Sequence, residues 1–225
     1  MIKYKIIVAR YNEDVKWLLP QIEHCIIYNK GERLNIRNEI FLHNVGRESD
    51  TYLNYIVANY NNLPDVVVFT QANIDDELRY VRKILGETNK INILIKLKNM
   101  ALKHGKTLHS ITYHSTNNES DKNWTTKDYW GKEWNKNGDA YHLHDNHLDK
   151  PVVFEKWFLK HIDKVYPNPI KIYKGAIFAV RRDLILKRHI DFYKNLLNQV
   201  NHHVDPAEGH FVERSWWYIF NYIYI

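Results

Sequence analysis

A single cysteine, Cys25, stands in 225 residues, so no intrachain disulfide framework can form. It lies in the apolar run Cys25-Ile26-Ile27-Tyr28 and reads as a small buried residue in a reducing compartment. The chain lacks G-x-G-x-x-G, the phosphate loop G-x-x-x-x-G-K-[ST] and the G-x-S-x-G elbow. Dinucleotide, P-loop and serine-hydrolase chemistry therefore have no sequence support. No block of lysine and arginine occurs either. The net charge of +6 is thus a diffuse field that favours anionic ligands, and no nucleic-acid partner is expected. Residues 1–9 are strand-like and carry no signal-peptide pattern, and the aromatic tail from Trp216 to Ile225 is too short to cross a bilayer. A cytoplasmic protein without a membrane span is the expectation. No repeat or low-complexity linker divides the chain, which predicts one domain.

The 44% hydrophobic fraction is that of a folded chain. Sixteen tyrosines and seven tryptophans either line a sugar or nucleobase surface or belong to the core and its rim. A first strand is predicted at Lys5–Ala9, then a short helix through Trp17 and Leu18. A second strand, Cys25–Tyr28, ends at Asn29-Lys30-Gly31, where glycine would permit a positive φ. A short strand near Ile40–Leu42 precedes a helix capped by Ser49, with Tyr52, Leu53, Ile56, Val57 and Tyr60 on one face. Helices are expected near Leu78–Leu85 and at Ile91–Leu102, the latter stopped by Gly105. Leu108–Tyr113 reads as strand, and His114–Lys150 is irregular, with Trp124, Trp130 and Trp134. Glu155–His161 reads as helix, Ile170–Val180 as one strand with Gly175 at its middle, and Arg182–Val200 as one or two helices. A last helix is placed at His210–Tyr222. Strands alternating with helices predict an α/β domain.

The stretch LPDVVVFTQANIDDE (residues 63–77) is the pivot. Val66-Val67-Val68-Phe69 is a strand buried on both faces, as in a parallel sheet. Its carboxyl end turns abruptly to Gln71, Asn73, Asp75 and Asp76, and in open α/β sheets ligands bind at such ends. Hard oxygen ligands there suit Mg²⁺ or Mn²⁺ carrying a substrate phosphate; the other reading makes Asp75 and Asp76 helix-capping carboxylates. Arg10 to Asp14 reaches the same edge if both strands are parallel, which offers Arg10 and Arg47 to phosphate. The other reading gives Arg47 and Glu48 only local charge pairs. A second acidic locus, Glu208-Gly209-His210 and Glu213, supplies either a general base and a metal-binding imidazole or first-turn helix residues. His142, His144, Asp145 and His147 match no closed zinc pattern and read as loop.

The runs VARYNEDVKWL (residues 8–18), IYNKG (27–31), NVGRESDTYLNYI (44–56), NLPDVVVFTQA (62–72), GAIFAVRRDLI (175–185) and VERSWWYIF (212–220) together resemble a family of glycosyltransferase-like proteins from fungi and large DNA viruses. The resemblance implies a GT-A fold: a Rossmann-like, mixed but mostly parallel sheet flanked by helices. Residues 1–113 would be its nucleotide-binding part and 114–225 its acceptor side. It implies transfer of a sugar from a nucleotide-diphosphate donor, above all a UDP-sugar, to a glycan or other hydroxyl, with inversion. Ala9, Arg10, Tyr11, Glu13, Arg47, Gln71, Ala72 and Gly175 would bind the donor. Glu213 or Glu208 would be the catalytic base. Mn²⁺ or Mg²⁺ would be held by Asn73, Asp75, Asp76 and His210, because Gln71-Ala72-Asn73 stands where the family carries Asp-x-Asp. That substitution also suits a non-catalytic nucleotide- or glycan-binding module of the same fold, and the acidic edge would fit a phosphate-ester hydrolase.

Overall fold

Side chains of the central strands alternate between two cores. Ile6 and Val8 of β1 (Tyr4–Arg10) join Val66 and Val68 in one, while Ile7 joins Val67 and Phe69 in the other. Successive residues of a strand leave opposite faces, so a strand with no exposed apolar residue has both faces covered. All of these side chains are 0% exposed. The computed structural model describes residues 2–75, 85–107, 113–114, 154–167, 171–172 and 176–221. The remaining strands are β2 (Cys25–Asn29), β3 (Glu39–Phe41), β4 (Val66–Gln71), β5 (Lys106–Thr107), β6 (Tyr113–His114), β7 (Lys171–Ile172) and β8 (Phe178–Arg181).

The main sheet runs β3-β2-β1-β4-β8-β5, with the first four strands parallel and β8 antiparallel to both its neighbours. The fold is therefore a mixed, mostly parallel α/β sheet flanked by helices, as the alternation of elements predicts. β8 comes from the second half of the chain yet lies between β4 and β5 of the first, so both halves share one sheet. The strand predicted at Ile170–Val180 is two strands in two sheets: β7 pairs with β6, and β8 pairs with β4. Gly175 falls between them, outside the described residues.

Helix α1 (Arg47–Asn59) packs on one face with α5 (Ile190–Val200) and α6 (Ala207–Ile219), and α6 in turn contacts α3 (Phe154–His161). Helix α2 (Lys90–His104) and the 3-10 segment Lys16–His24 cover the other face. A single turn, α4 (Arg182–Ile185), follows β8. Of the predicted α1 face, Tyr52, Leu53 and Ile56 are buried, with Val57 and Tyr60 packed at the edge. Ser49 is not the cap. The helix begins two residues earlier, after Gly46, and Ser49 Oγ donates to the Gly209 carbonyl of α6 at 3.2 Å. Gly105 ends α2 as expected, with a φ of 88° and its N–H on the Ala101 carbonyl. The last helix starts at Ala207 rather than His210, since Pro206 supplies a pre-set φ just before the first turn. The helix predicted near Leu78–Leu85, the strand at Leu108–Tyr113 and the segment His114–Lys150 with its tryptophans and histidines lie wholly or mostly outside the described residues.

Candidate functional site

Strand order decides where a ligand can enter. From β1 the chain steps outward to β2 and β3, then returns across to β4 on the other side of β1. The loops leaving β1 and β4 therefore part in opposite directions, which opens a crevice at their carboxyl ends. Ala9 and Gln71 are register partners at that point, and the Ala72 N–H bonds the Ala9 carbonyl at 2.8 Å. A cleft of about 250 Å³ occupies the crevice. The end of β1 lines it with Ala9 and Arg10, the loop after it with Tyr11 and Glu13, and the loop after β2 with Lys30. Asn44, Arg47, Glu48 and Thr51 come from the loop and helix after β3, and Gln71 and Asn73 from the end of β4. Seven residues singled out in the sequence thus meet here: Ala9, Arg10, Tyr11, Glu13, Arg47, Gln71 and Asn73.

The three cations of the cleft have different duties. Arg10 is 8% exposed and holds its own loop: Nε donates to the Glu13 carbonyl, and Nη1 to the Tyr11 and Glu32 carbonyls and Asn29 Oδ1. Those bonds make it a brace more than the open phosphate fork its position suggests. Lys30 is buried, and its ammonium donates to the Val45 and Arg47 carbonyls and to Asp50 Oδ2 at 2.8 Å. An ammonium has three protons, so Lys30 is saturated. Burial pushes the Lys30 ammonium down and the Asp50 carboxyl up, and each partner's charge opposes the shift. Sequence reasoning passed over Lys30 because it stands in what reads as a simple turn. Arg47 is the open one, with 43% of its side chain exposed.

Backbone geometry at both loops depends on glycine, for different reasons. Gly31 does not need a positive φ, contrary to expectation. A Cβ there would stand 1.9 Å from the Tyr11 carbonyl oxygen, so close approach of the two loops is what excludes a side chain. Gly46 does take the left-handed region, at φ 63°, and Arg47 follows at 46°. This turn aims the start of α1 at the cleft. Inside its first turns sits Thr51, fully buried, whose Oγ1 has no hydrogen-bond partner among the described residues. In a helix that hydroxyl ordinarily bonds the carbonyl four residues back. Here that carbonyl, of Arg47, accepts from Lys30.

A neighbouring cleft of about 440 Å³ shares Glu13 and Asn73 and adds Asp14, Trp17, Ala72, Asp75 and Lys90. Ala72 is 1% exposed, and its carbonyl accepts from the Trp17 indole at 3.0 Å, so its contribution is to backbone architecture. Asp75 pairs with Lys90 at 2.7 Å, and Asn73 Oδ1 accepts from the Asp75 N–H at 3.2 Å. Asp76 lies outside the described residues. His210 is placed elsewhere. With Asp205, Gly46, Arg47 and Glu48 it lines a much smaller recess between the starts of α1 and α6. Of the expected metal ligands that are described, His210 thus stands apart from Asn73 and Asp75, and among the described residues no group of three His, Cys, Asp or Glu side chains could hold an ion. Asn73 and Asp75 remain a fitting pair for an ion brought in by a ligand's phosphates, since Mg²⁺ commonly uses one or two carboxylates plus phosphate oxygens.

Glu208 and Glu213 sit on α6 with 21% of each side chain exposed, and neither lines the main cleft. Glu208 Oε2 is 3.9 Å from His202 Nε2, and Glu213 Oε2 is 3.8 Å from His210 Nδ1. His210 Nε2 lies 3.2 Å from Asp205 Oδ1, which is 3.5 Å from Arg47 Nη1. Burial lowers the His210 imidazole, but Asp205 and Glu213 outweigh it and hold it above its ordinary value. Burial raises the Asp205 carboxyl, and His210 with Arg47 brings it below the ordinary range. Asp205 was missed in sequence because it reads as part of a polar Asp-Pro turn. His210 is a partner from its own stretch of chain, and only the approach of α6 to α1 adds Arg47. Cys25 is buried as expected, and burial pushes its thiol up to about 12, away from the reactive thiolate.

The chain belongs to the family described as protein of unknown function, DUF3431, which matches residues 6–224. No curated protein and no solved structure matches it.

Proposed function

We propose that this member of the DUF3431 family is a GT-A-type glycosyltransferase that takes a nucleotide-diphosphate sugar, a UDP-sugar first among them, and transfers the sugar to a hydroxyl of a glycan or related acceptor. One observation carries the reading: four parallel strands deliver polar loops to a single cleft at the point where strand order reverses. An exposed guanidinium, Arg47, and a buried hydroxyl without a partner among the described residues, Thr51, line the cleft beside the start of α1. A diphosphate supplies an acceptor oxygen for the Thr51 hydroxyl and further oxygens for the Arg47 guanidinium. Tyr11, half exposed at the rim, offers a ring face to a nucleobase or sugar.

In the transfer step an acceptor oxygen forms a bond to the anomeric carbon as the bond from that carbon to the diphosphate breaks. The hydroxyl proton passes to a carboxylate. Glu13 and Glu48 are the described carboxylates lining the cleft, and they take the place that sequence assigned to Glu213 and Glu208. The Tyr11 N–H already orients Glu13 through Oε2 at 2.7 Å. Arg47 would counter the charge that grows on the departing diphosphate. Asn73 and Asp75 would hold a divalent ion, which when bound adds further neutralisation of the diphosphate.

Calorimetric titration with uridine-, guanosine- and thymidine-diphosphate sugars, with Mn²⁺, Mg²⁺ or chelator, tests the proposal. Saturable binding of one donor supports it, and loss of that binding with chelator assigns the ion. Absence of binding to every donor removes its main support. The placement of Glu208 and Glu213 away from the cleft favours a second reading, a binding module without turnover. Donor binding with no transfer to any acceptor and no hydrolysis would select that one.

A further inference from the structure

The least explained group in the molecule is the chain of charges behind Arg47. It runs from Glu213 through His210 and Asp205 to Arg47, with nearest separations of 3.8, 3.2 and 3.5 Å. Asp205 and His210 side chains are each 9% exposed, whereas Arg47 reaches into the main cleft. Two further contacts determine where Asp205 stands relative to α1. The Gly46 N–H donates to the His203 carbonyl at 2.7 Å, and Ser49 Oγ donates to the Gly209 carbonyl. His203 Nδ1 also accepts from the Asp205 N–H at 3.1 Å. The leading turn of α6 is thereby stitched to the start of α1.

We propose that Asp205, itself held by His210, is a positioning residue that sets the Arg47 guanidinium over the cleft for an anionic ligand. This rests on the reading that the cleft takes a phosphate-bearing ligand. An arginine free to rotate loses side-chain entropy when it grips an anion, and one already held has lost it beforehand. Glu48 Oε2, 3.8 Å from Arg47 Nε, completes the hold from the helix's own first turn. The arrangement has a diagnostic sign. A carboxylate beside an anion site repels the anion, so a plain counter-charge would leave the ligand bound more tightly once removed. A positioning carboxylate leaves it bound more weakly.

The test is calorimetric titration with inorganic pyrophosphate and with uridine diphosphate, on the wild type, Arg47→Ala, Asp205→Asn and the double variant, each checked for folding by thermal unfolding. Arg47→Ala is expected to weaken binding about tenfold or more. Asp205→Asn should weaken it about threefold or more, and should add nothing in the Arg47→Ala background. Tighter or unchanged binding in Asp205→Asn overturns the proposal, as does full additivity in the double variant. If Asp205→Asn does not fold, His210→Gln is measured under the same two criteria. A wild type that binds neither probe overturns the anion reading of the cleft, and the positioning role falls with it. Wild-type binding lost in Arg47→Ala but intact in Asp205→Asn overturns the positioning role alone.

Discussion

The two faces of the sheet are built from different residues. On one, the buried cluster is aliphatic: Ile6, Val8, Ile27, Val66, Val68, Leu94, Leu97 and their neighbours, with no aromatic ring among its buried members in the described residues. On the other, Tyr52, Phe69, Phe178, Trp216 and Phe220 form one connected set of rings, with centroids 4.8 to 6.2 Å apart. Phenol hydroxyls tie this face to distant backbone. Tyr52 donates to the Ala176 carbonyl and Tyr193 to the Ile185 carbonyl. The aromatic face also carries α1 and α6, the helices whose first turns supply Arg47 and Asp205. Aliphatic burial covers a sheet without specifying an angle, whereas rings and phenols specify one. The face that must hold two helix starts at a defined separation is the one made of rings.

The comparison breaks most directly with paired truncations. Trp216→Ala on the aromatic face should cost about 3–5 kcal/mol and, where still folded, weaken pyrophosphate binding because α6 shifts. Leu97→Ala on the aliphatic face should cost about 2–5 kcal/mol yet leave affinity within about twofold of wild type. Denaturant unfolding and calorimetry on both variants decide it, and equal losses of affinity would mean the faces are not functionally distinct. Lys30→Met should cost about 3–5 kcal/mol, since the Asp50 carboxylate would stay buried without its ammonium. A cost near zero would show that the start of α1 does not depend on that pair. Tyr52→Phe keeps the ring and removes the bond to Ala176, for about 1–2 kcal/mol and no change in ring packing. An unchanged unfolding midpoint would demote the phenol from tie point to filler.

The smallest effect is a pH dependence. His210 has a raised folded value, so its contribution is complete below the ordinary histidine range and is lost as pH rises through the folded value. Asp205 is lowered, so its contribution is present above the ordinary carboxylate range and fades as pH falls through the folded value. Wild-type stability should decline from about pH 6.5 upward, and His210→Gln should flatten that decline. A parallel decline in both proteins would place the titration elsewhere.

Much of the fold was legible because burial writes a period into the chain. Val66-Val67-Val68-Phe69 could only be a strand covered twice, and the helical spacing of Tyr52, Leu53 and Ile56 pointed inward as found. The tyrosine excess admitted a sugar-lined surface or a core. Tyr28, Tyr52, Tyr55 and Tyr193 are buried, while Tyr11 is the half-exposed ring at the cleft. Side-chain partnerships were not legible. Arg10 and Arg47 look alike as arginines on strand-end loops, yet one is buried in bonds to backbone carbonyls and the other open. Lys30 and Asp50 are twenty positions apart, and nothing local in either announces a buried ion pair.

By itself the sequence determined the α/β class and the buried central strand, and it offered the meeting of Ala9 to Glu13 with Gln71 and Asn73 on the condition, met by β1 and β4, that the two strands run parallel. Only the tertiary structure decided which charges belong to that edge. Helix α6 brings Glu213 and His210 to Asp205 instead of to Asn73, since the angle of a helix on a sheet depends on how rings from several elements interlock. No single stretch of chain contains that information.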